Sequence, residues 1–506
     1  MTARISLRRA AFASCALLAF FALTTSSEAA TTVTNLSPSF GTVGTTVTIY
    51  GTNFGATTGT VKFYNGKTAT VSSWNGTTNQ IVVKVPTGAT TGVITVTPHG
   101  GTGVSSTADF NVLATKGALV LGAFPPQAAT CSGIPDYNGT NCIGDYQSDV
   151  IPSIDGVVIV GQWSTIESSN AGKTGSGGYS WTSFDATVNK FVGKTGWSAS
   201  KKVAIVLSPI TDGSSNTSTP AYVFNSTWAT TAGASAPLDE CTCSSYSGDG
   251  SAPVNQCWNQ SGGGSTDISG MPAVWEKPFY VALENFYSNA VTHLNAASYA
   301  PYVAYIRMGL SSGGEEYPHC SANLETLVTP SNGTELETVW TGYTNTMFTY
   351  EAGLDSQQPL MAAPNGNGTN TGVPSDAWAD TEAQDALNEG LVLGGEGLQY
   401  NDSVATPCSN DWCNTFTFTP TPAIHELQTY SQSVPSQTIC SSAGAYGTND
   451  TNSLVCLLPF VEGEGDVNSV ELYPGDVFLA FDSATTGYST YGSGYATAIG
   501  NIRAGD

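Results

Sequence analysis

The sequence predicts two domains of different class: a β-sandwich over residues 31–113, then an α/β domain over 116–506 that closes as a (β/α)8 barrel. Three observations predict this. Apolar residues alternate with period two before residue 113, whereas from Lys116 onward apolar runs are separated by amphipathic stretches. Outside the first 29 residues, every cysteine lies beyond residue 130. Eight apolar runs follow Lys116, with helical patterns between most of them, and that alternation builds parallel βαβ units.

Residues 1–29 are predicted to be a secretory signal. Arg4, Arg8 and Arg9 precede an apolar run from Ala10 to about Leu23, and Ser27-Glu28-Ala29 offers small residues for cleavage. The run is too short for a membrane span and no other stretch approaches one, so no membrane anchor is expected. Export implies an oxidising compartment. The ten remaining cysteines are then expected to form disulfides that staple loops, with Cys131–Cys142, Cys408–Cys413 and Cys440–Cys456 as local pairs. Cys241-Thr-Cys243 is too tight for a zinc knuckle and no His pair accompanies it, so neither metal nor cofactor is predicted.

The chain carries 15 Lys+Arg against 39 Asp+Glu, a net charge of −24. Losing Arg4, Arg8, Arg9 and Glu28 with the signal changes this to −26. Such a surface repels phosphate, which argues against nucleic acid as a partner. With 40% hydrophobic and 10% aromatic residues the chain is too apolar to be disordered. Only 11% of residues are charged, so carboxylates that recur at corresponding places are informative. A monomer is expected.

In residues 31–113 the strands Thr45–Ile49, Val61–Phe63, Ile81–Val85 and Val93–Val96 are separated by turn signals such as Asn65-Gly66 and Asn75-Gly76. The string Asn35-Leu-Ser-Pro38-Ser-Phe-Gly41, continuing through Gly44, Val47, Ile49 and Gly51 to Phe54-Gly55, resembles the opening of an IPT/TIG immunoglobulin-like domain. The resemblance implies an Ig-like sandwich used as a spacer or binding module.

Beyond Lys116 the predicted strands are Ala118–Leu121, Val157–Val160, Val203–Leu207, Val303–Ile306, Leu360–Ala362, Leu391–Leu393, Ala423-Ile424 and Ser469-Val470. Helices are expected at Pro278–Ala297, Leu336–Ala352 and Asp376–Asn388, the first with Val281, Leu283, Phe286, Ala290 and Leu294 on one face. The competing topology is an open doubly wound sheet.

Chemistry in such barrels sits at the C-terminal ends of the strands. The fourth run leads into Gly313-Gly314-Glu315-Glu316-Tyr317-Pro318, the sixth into Glu396, the seventh into His425-Glu426 and the eighth into Glu471. Paired carboxylates across a cleft suit glycoside hydrolysis: one protonates the leaving oxygen, the other attacks the anomeric carbon or activates water. The layout resembles clan A (β/α)8 glycoside hydrolases, and the Gly-Glu-…-Tyr-Pro segment is similar to that around the acid of β-amylase-like barrels. The resemblance implies Glu315 as acid/base and Glu426 as nucleophile, although Gly314 stands where most of that clan carry Asn. Carbohydrate-binding candidates are Trp163, Glu316, Tyr317, His319, Glu396, His425, Gln428 and Tyr473, because sugar rings need aromatic faces and polar side chains.

Two rival readings compete. Gly309-Leu310-Ser311-Ser312-Gly313 fits the nucleophile elbow of an esterase, with His425 as base, but an elbow leads into a helix and Gly314 and Pro318 oppose one. A non-catalytic carbohydrate-binding or adhesion protein is the other.

Overall fold

The computed structural model describes residues 30–113, 117–121, 153–167, 178–193, 196–198, 200–211, 218–242, 256–258, 271–311, 313–316, 334–364, 376–398, 425–429, 469–472 and 488–504, with isolated positions between them. The predicted signal segment and the three local cysteine pairs lie outside the described residues.

The first domain is two four-stranded sheets face to face. One has the order β1 (Thr32–Ser37), β3 (Thr46–Thr52), β6 (Gln80–Lys84), β5 (Thr70–Asn75). The other runs β2 (Phe40–Gly41), β8 (Val104–Val112), β7 (Gly92–Thr97), β4 (Thr60–Lys62). Alternation sends Val47, Ile49, Ile81, Val83, Ile94 and Val96 into the space between the sheets, all fully buried. Phe63 meets Phe110 edge-to-face there. The two turn signals act differently. Asn75-Gly76 opens the β5–β6 hairpin, with Asn75 Oδ1 accepting from the N–H groups of Thr77 and Thr78. Asn65-Gly66 instead turns the chain after β4, which pairs with β7, before β5, which pairs with β6 in the other sheet.

The second domain is built on eight parallel strands that close on themselves: β9 (Gly117–Leu121), β10 (Gly156–Gln162), β11 (Lys202–Ser208), β15 (Val303–Met308), β16 (Leu360–Ala362), β17 (Val392–Leu398), β18 (His425–Thr429) and β19 (Ser469–Leu472). The seventh differs from its expected place. His425-Glu426, expected just beyond a strand at Ala423-Ile424, lies inside β18. Between β11 and β15 the chain makes an excursion carrying a small sheet of β12 (Glu240–Thr242), β13 (Gln256–Trp258) and β14 (Met271–Pro272). Cys241 of β12 is buried and disulfide-bonded, and in the ladder it stands opposite Cys257.

Helices cover the outside of this closed sheet. The longest, Lys277–Ala296, has Pro278 in its first turn, where a missing N–H costs nothing. It buries Phe279, Leu283, Phe286, Ala290 and Leu294, spaced three and four apart, against the strands. Thr334–Ala352 and Asp376–Glu389 follow, each within two residues of its expected bounds. Inside the closed sheet lie Val158, Val160, Ala204, Val206, Tyr305, Met361 and Val392. None of the described helices is long and apolar enough to cross a membrane.

Candidate active site at the C-terminal ends of the strands

β15 is Val-Ala-Tyr-Ile-Arg-Met, buried along its whole length. A register shift against β11 after Val303 places both Ala304 and Tyr305 in the interior cluster. The chain then enters Gly309–Glu316, whose backbone is held from several sides. Gly309 N donates to Leu207 O at 3.1 Å and Gly313 N to Ile210 O at 3.2 Å. From the helices outside, the Tyr287 hydroxyl donates to Gly309 O, and the Tyr343 hydroxyl reaches Leu310 O at 2.9 Å. The Trp340 indole N–H meets Glu316 O at 3.0 Å.

The loop doubles back on itself. A Cβ at Gly309 would lie 2.2 Å from Gly314 Cα. Gly314 has φ +97°, and a Cβ there would lie 2.3 Å from Val206 Cγ1. Any side chain at position 314 would be strained and would displace Val206, which accounts for glycine immediately before the acidic pair.

The two adjacent acids are treated differently. Glu316 is fully buried and tied both ways to the end of β16: its Oε2 accepts from Ala363 N at 2.5 Å, and its own N–H donates to Ala363 O at 3.3 Å. Burial pushes its carboxyl well above the ordinary range; the Ala363 N–H and Arg307 oppose that, while Glu315 and Glu382 add to it. Enclosed in this way, Glu316 has no surface with which to touch a sugar, contrary to its expected binding role. Glu315 is half-buried, and its carbonyl accepts from Ser311 N at 2.7 Å, which fixes its backbone. Of the pair, only Glu315 is accessible.

Glu426 is the second residue of β18, beside Gly394 of β17 and Ser469 of β19 in the ladder. Leu393 pairs with both Ala362 and His425, and Gly394 pairs with Glu426. Ala363 is also the residue bonded to Glu316, so the Glu315-Glu316 loop is tied to the end of β16, and Glu426 lies two strands further round the closed sheet. Glu396 lies within β17 where the register against β18 shifts between Gly395 and Leu398. Gln428 pairs with Glu471. Tyr317, His319 and Tyr473 lie outside the described residues.

Trp163 is placed otherwise than expected. It is fully buried, stacked on Phe286 at 5.6 Å, and its indole N–H donates to Glu167 Oε2 at 2.7 Å. It is a core residue that opens the short helix Trp163–Ile166 directly after β10. Ser311 is also fully buried, and the residues after it form turns with Gly313 and Gly314 at positive φ, which is not the helix an elbow requires.

The alternative to a catalytic role for these acids, pairing with Arg307, holds for Glu471. An Arg307 guanidinium nitrogen sits 2.7 Å from Glu471 Oε1, and the Tyr305 hydroxyl donates to the same oxygen at 2.8 Å. The signal was an arginine in an otherwise apolar strand. Glu471 is thereby part of the barrel's interior, fully buried, not a free carboxylate at its mouth. Among the described residues no group of three His, Cys, Asp or Glu is arranged to hold a metal ion.

Likeness to solved structures is slight. An auxiliary nutrient binding protein from Bacteroides ovatus is 21% identical over 20% of this chain and 25% of its own, with a TM-score of 0.16. A gamma-CGTase from Bacillus clarkii is 25% identical over 23% of this chain and 18% of its own, with a TM-score of 0.17. The chain thus spans a quarter or less of the length of these structures. No curated relative matches the chain. Residues 31–112 match the IPT/TIG family, and the β-sandwich is an IPT/TIG domain.

Proposed function

We propose that the second domain is a (β/α)8 barrel acting as a retaining glycoside hydrolase on a polysaccharide or oligosaccharide, in a protein exported through its N-terminal signal. The observation that carries this reading is the placement of Glu315 just after the fourth, and of Glu426 within the seventh, of eight closed parallel strands. Glu315 is the acid/base and Glu426 the nucleophile. The acid delivers a proton to the glycosidic oxygen as the nucleophile attacks the anomeric carbon. The acid then returns as base to activate the water that frees the sugar. The fixed backbone around Glu315 supports this role, because a general acid must be held at hydrogen-bond distance from its leaving oxygen.

The substrate class, β-glucan-type chains included, rests on the resemblance to clan A glycoside hydrolases alone. A panel of soluble polysaccharides assayed with the wild type, Glu315→Gln and Glu426→Gln tests the assignment. Turnover of one substrate is expected in the wild type and a loss of at least about a hundredfold in each variant. Equal turnover in all three proteins would refute it.

A further inference from the structure

The sandwich is not held to the barrel by the chain alone. Its last buried residue, Leu113, belongs to the cluster inside the closed sheet, with Val158, Ala204, Ala304, Met361 and Val392, and Phe40 packs against that cluster. Ala304 and Val392 are at or next to the first residues of their strands, so this cluster reaches the N-terminal end of the lumen. Three polar contacts surround the apolar plug. Thr91 N donates to Gln357 O at 3.1 Å, Asn111 Nδ2 to Gly390 O at 3.1 Å, and Tyr64 Oη to Asp355 Oδ2 at 2.8 Å. Asp355, Gln357 and Gly390 lie in the segments just before β16 and β17.

Parallel barrels expose a ring of strand starts at this end, and their interior apolar residues need a cover. Here the cover comes from β2 and the end of β8, paired to each other through Phe40 and Asn111. We infer that the N-terminal end of the barrel is a docking face whose occupant is the IPT/TIG sandwich, which serves as the barrel's floor and not as a binding module carried on a tether. The sandwich therefore sits opposite Glu315, and it acts on the site only through the stability of the strands. The inference is independent of which reaction the other end performs.

The test uses the full mature chain with a protease site inserted at residues 114–116, between Leu113 and Gly117, cleaved after folding. The two fragments are expected to co-elute from a sizing column at micromolar concentration. Tyr64→Phe with Asn111→Ala, which leave both cores intact, should raise the dissociation constant of the fragments about tenfold. In the uncleaved chain, Leu113→Asp should speed amide exchange at the first residues of β16 and β17. Fragments that separate on cleavage overturn the inference, as does co-elution that the two polar substitutions leave unchanged.

Discussion

Arg307 and Glu471 meet inside the barrel although their strands, the fourth and eighth, lie on opposite sides of it. The side chains are 1% and 0% exposed, so the pair and the Tyr305 hydroxyl replace water for one another. Such a pair costs desolvation to form, and its geometry decides whether that cost is recovered.

Breaking this pair on one side should therefore be worse than replacing both halves. Arg307→Met alone leaves Glu471 buried without its cation and is expected to cost about 3–5 kcal/mol. Adding Glu471→Leu should recover much of that loss. Urea unfolding of the two single variants and the double variant measures the coupling. Additive costs would mean that the two groups do not interact.

Gly314 is the position where the loop tolerates no side chain. Gly314→Ala forces an L residue to φ +97° and a methyl against Val206, at an expected cost of about 3 kcal/mol. Under the proposed mechanism kcat falls as Glu315 is displaced. Unchanged stability and kcat would show that the loop adapts.

Trp163 offers a check on core against binding roles. Trp163→Phe keeps a ring over Phe286 but removes the donor to Glu167 Oε2, so a loss of about 1–3 kcal/mol is expected. KM should not move, because the ring is enclosed. A several-fold rise in KM with stability intact would return Trp163 to the substrate.

The junction between the small sheet and the long helix is pH-sensitive. Glu276 Oε2 accepts from Asp239 N at 2.9 Å. Burial first, opposed by that N–H and assisted by Asp239's charge, pushes the Glu276 carboxyl up to about 8. A carboxyl raised in the folded state favours the protonated fold. Its contribution is fully present below about 4.5 and is lost as pH rises toward about 8. Glu276→Gln keeps the acceptor and removes the titration. Thermal unfolding between pH 5 and 9 should then decline less steeply than in the wild type, and an identical slope would exclude the role.

The sandwich was legible because alternation records which side of a strand is buried, as at Thr46–Thr52, and because Gly44, Phe54 and Gly55 fall at turns and core positions that few other residues fill. The main helices and most strands of the second domain were legible for the same reason, since buried parallel strands are continuous apolar runs. β18 was misplaced by a few residues, because His-Glu-Leu-Gln-Thr carries no apolar run to mark a strand.

The sequence by itself determined the two periods, the order of the strands and the acidic pair that follows the fourth of them, since each is set by local spacing. Only the tertiary structure distinguished Glu315, which is half-buried, from Glu316, which is fully enclosed. The two are chemically identical neighbours, and what separates them is the Ala363 backbone, 47 residues away, which holds one of them inside. It also decided that Trp163 is core, that Glu471 reaches across to Arg307, and that the sandwich closes the barrel. Each depends on groups far apart in the chain, and burial and pairing exist only once those groups have met.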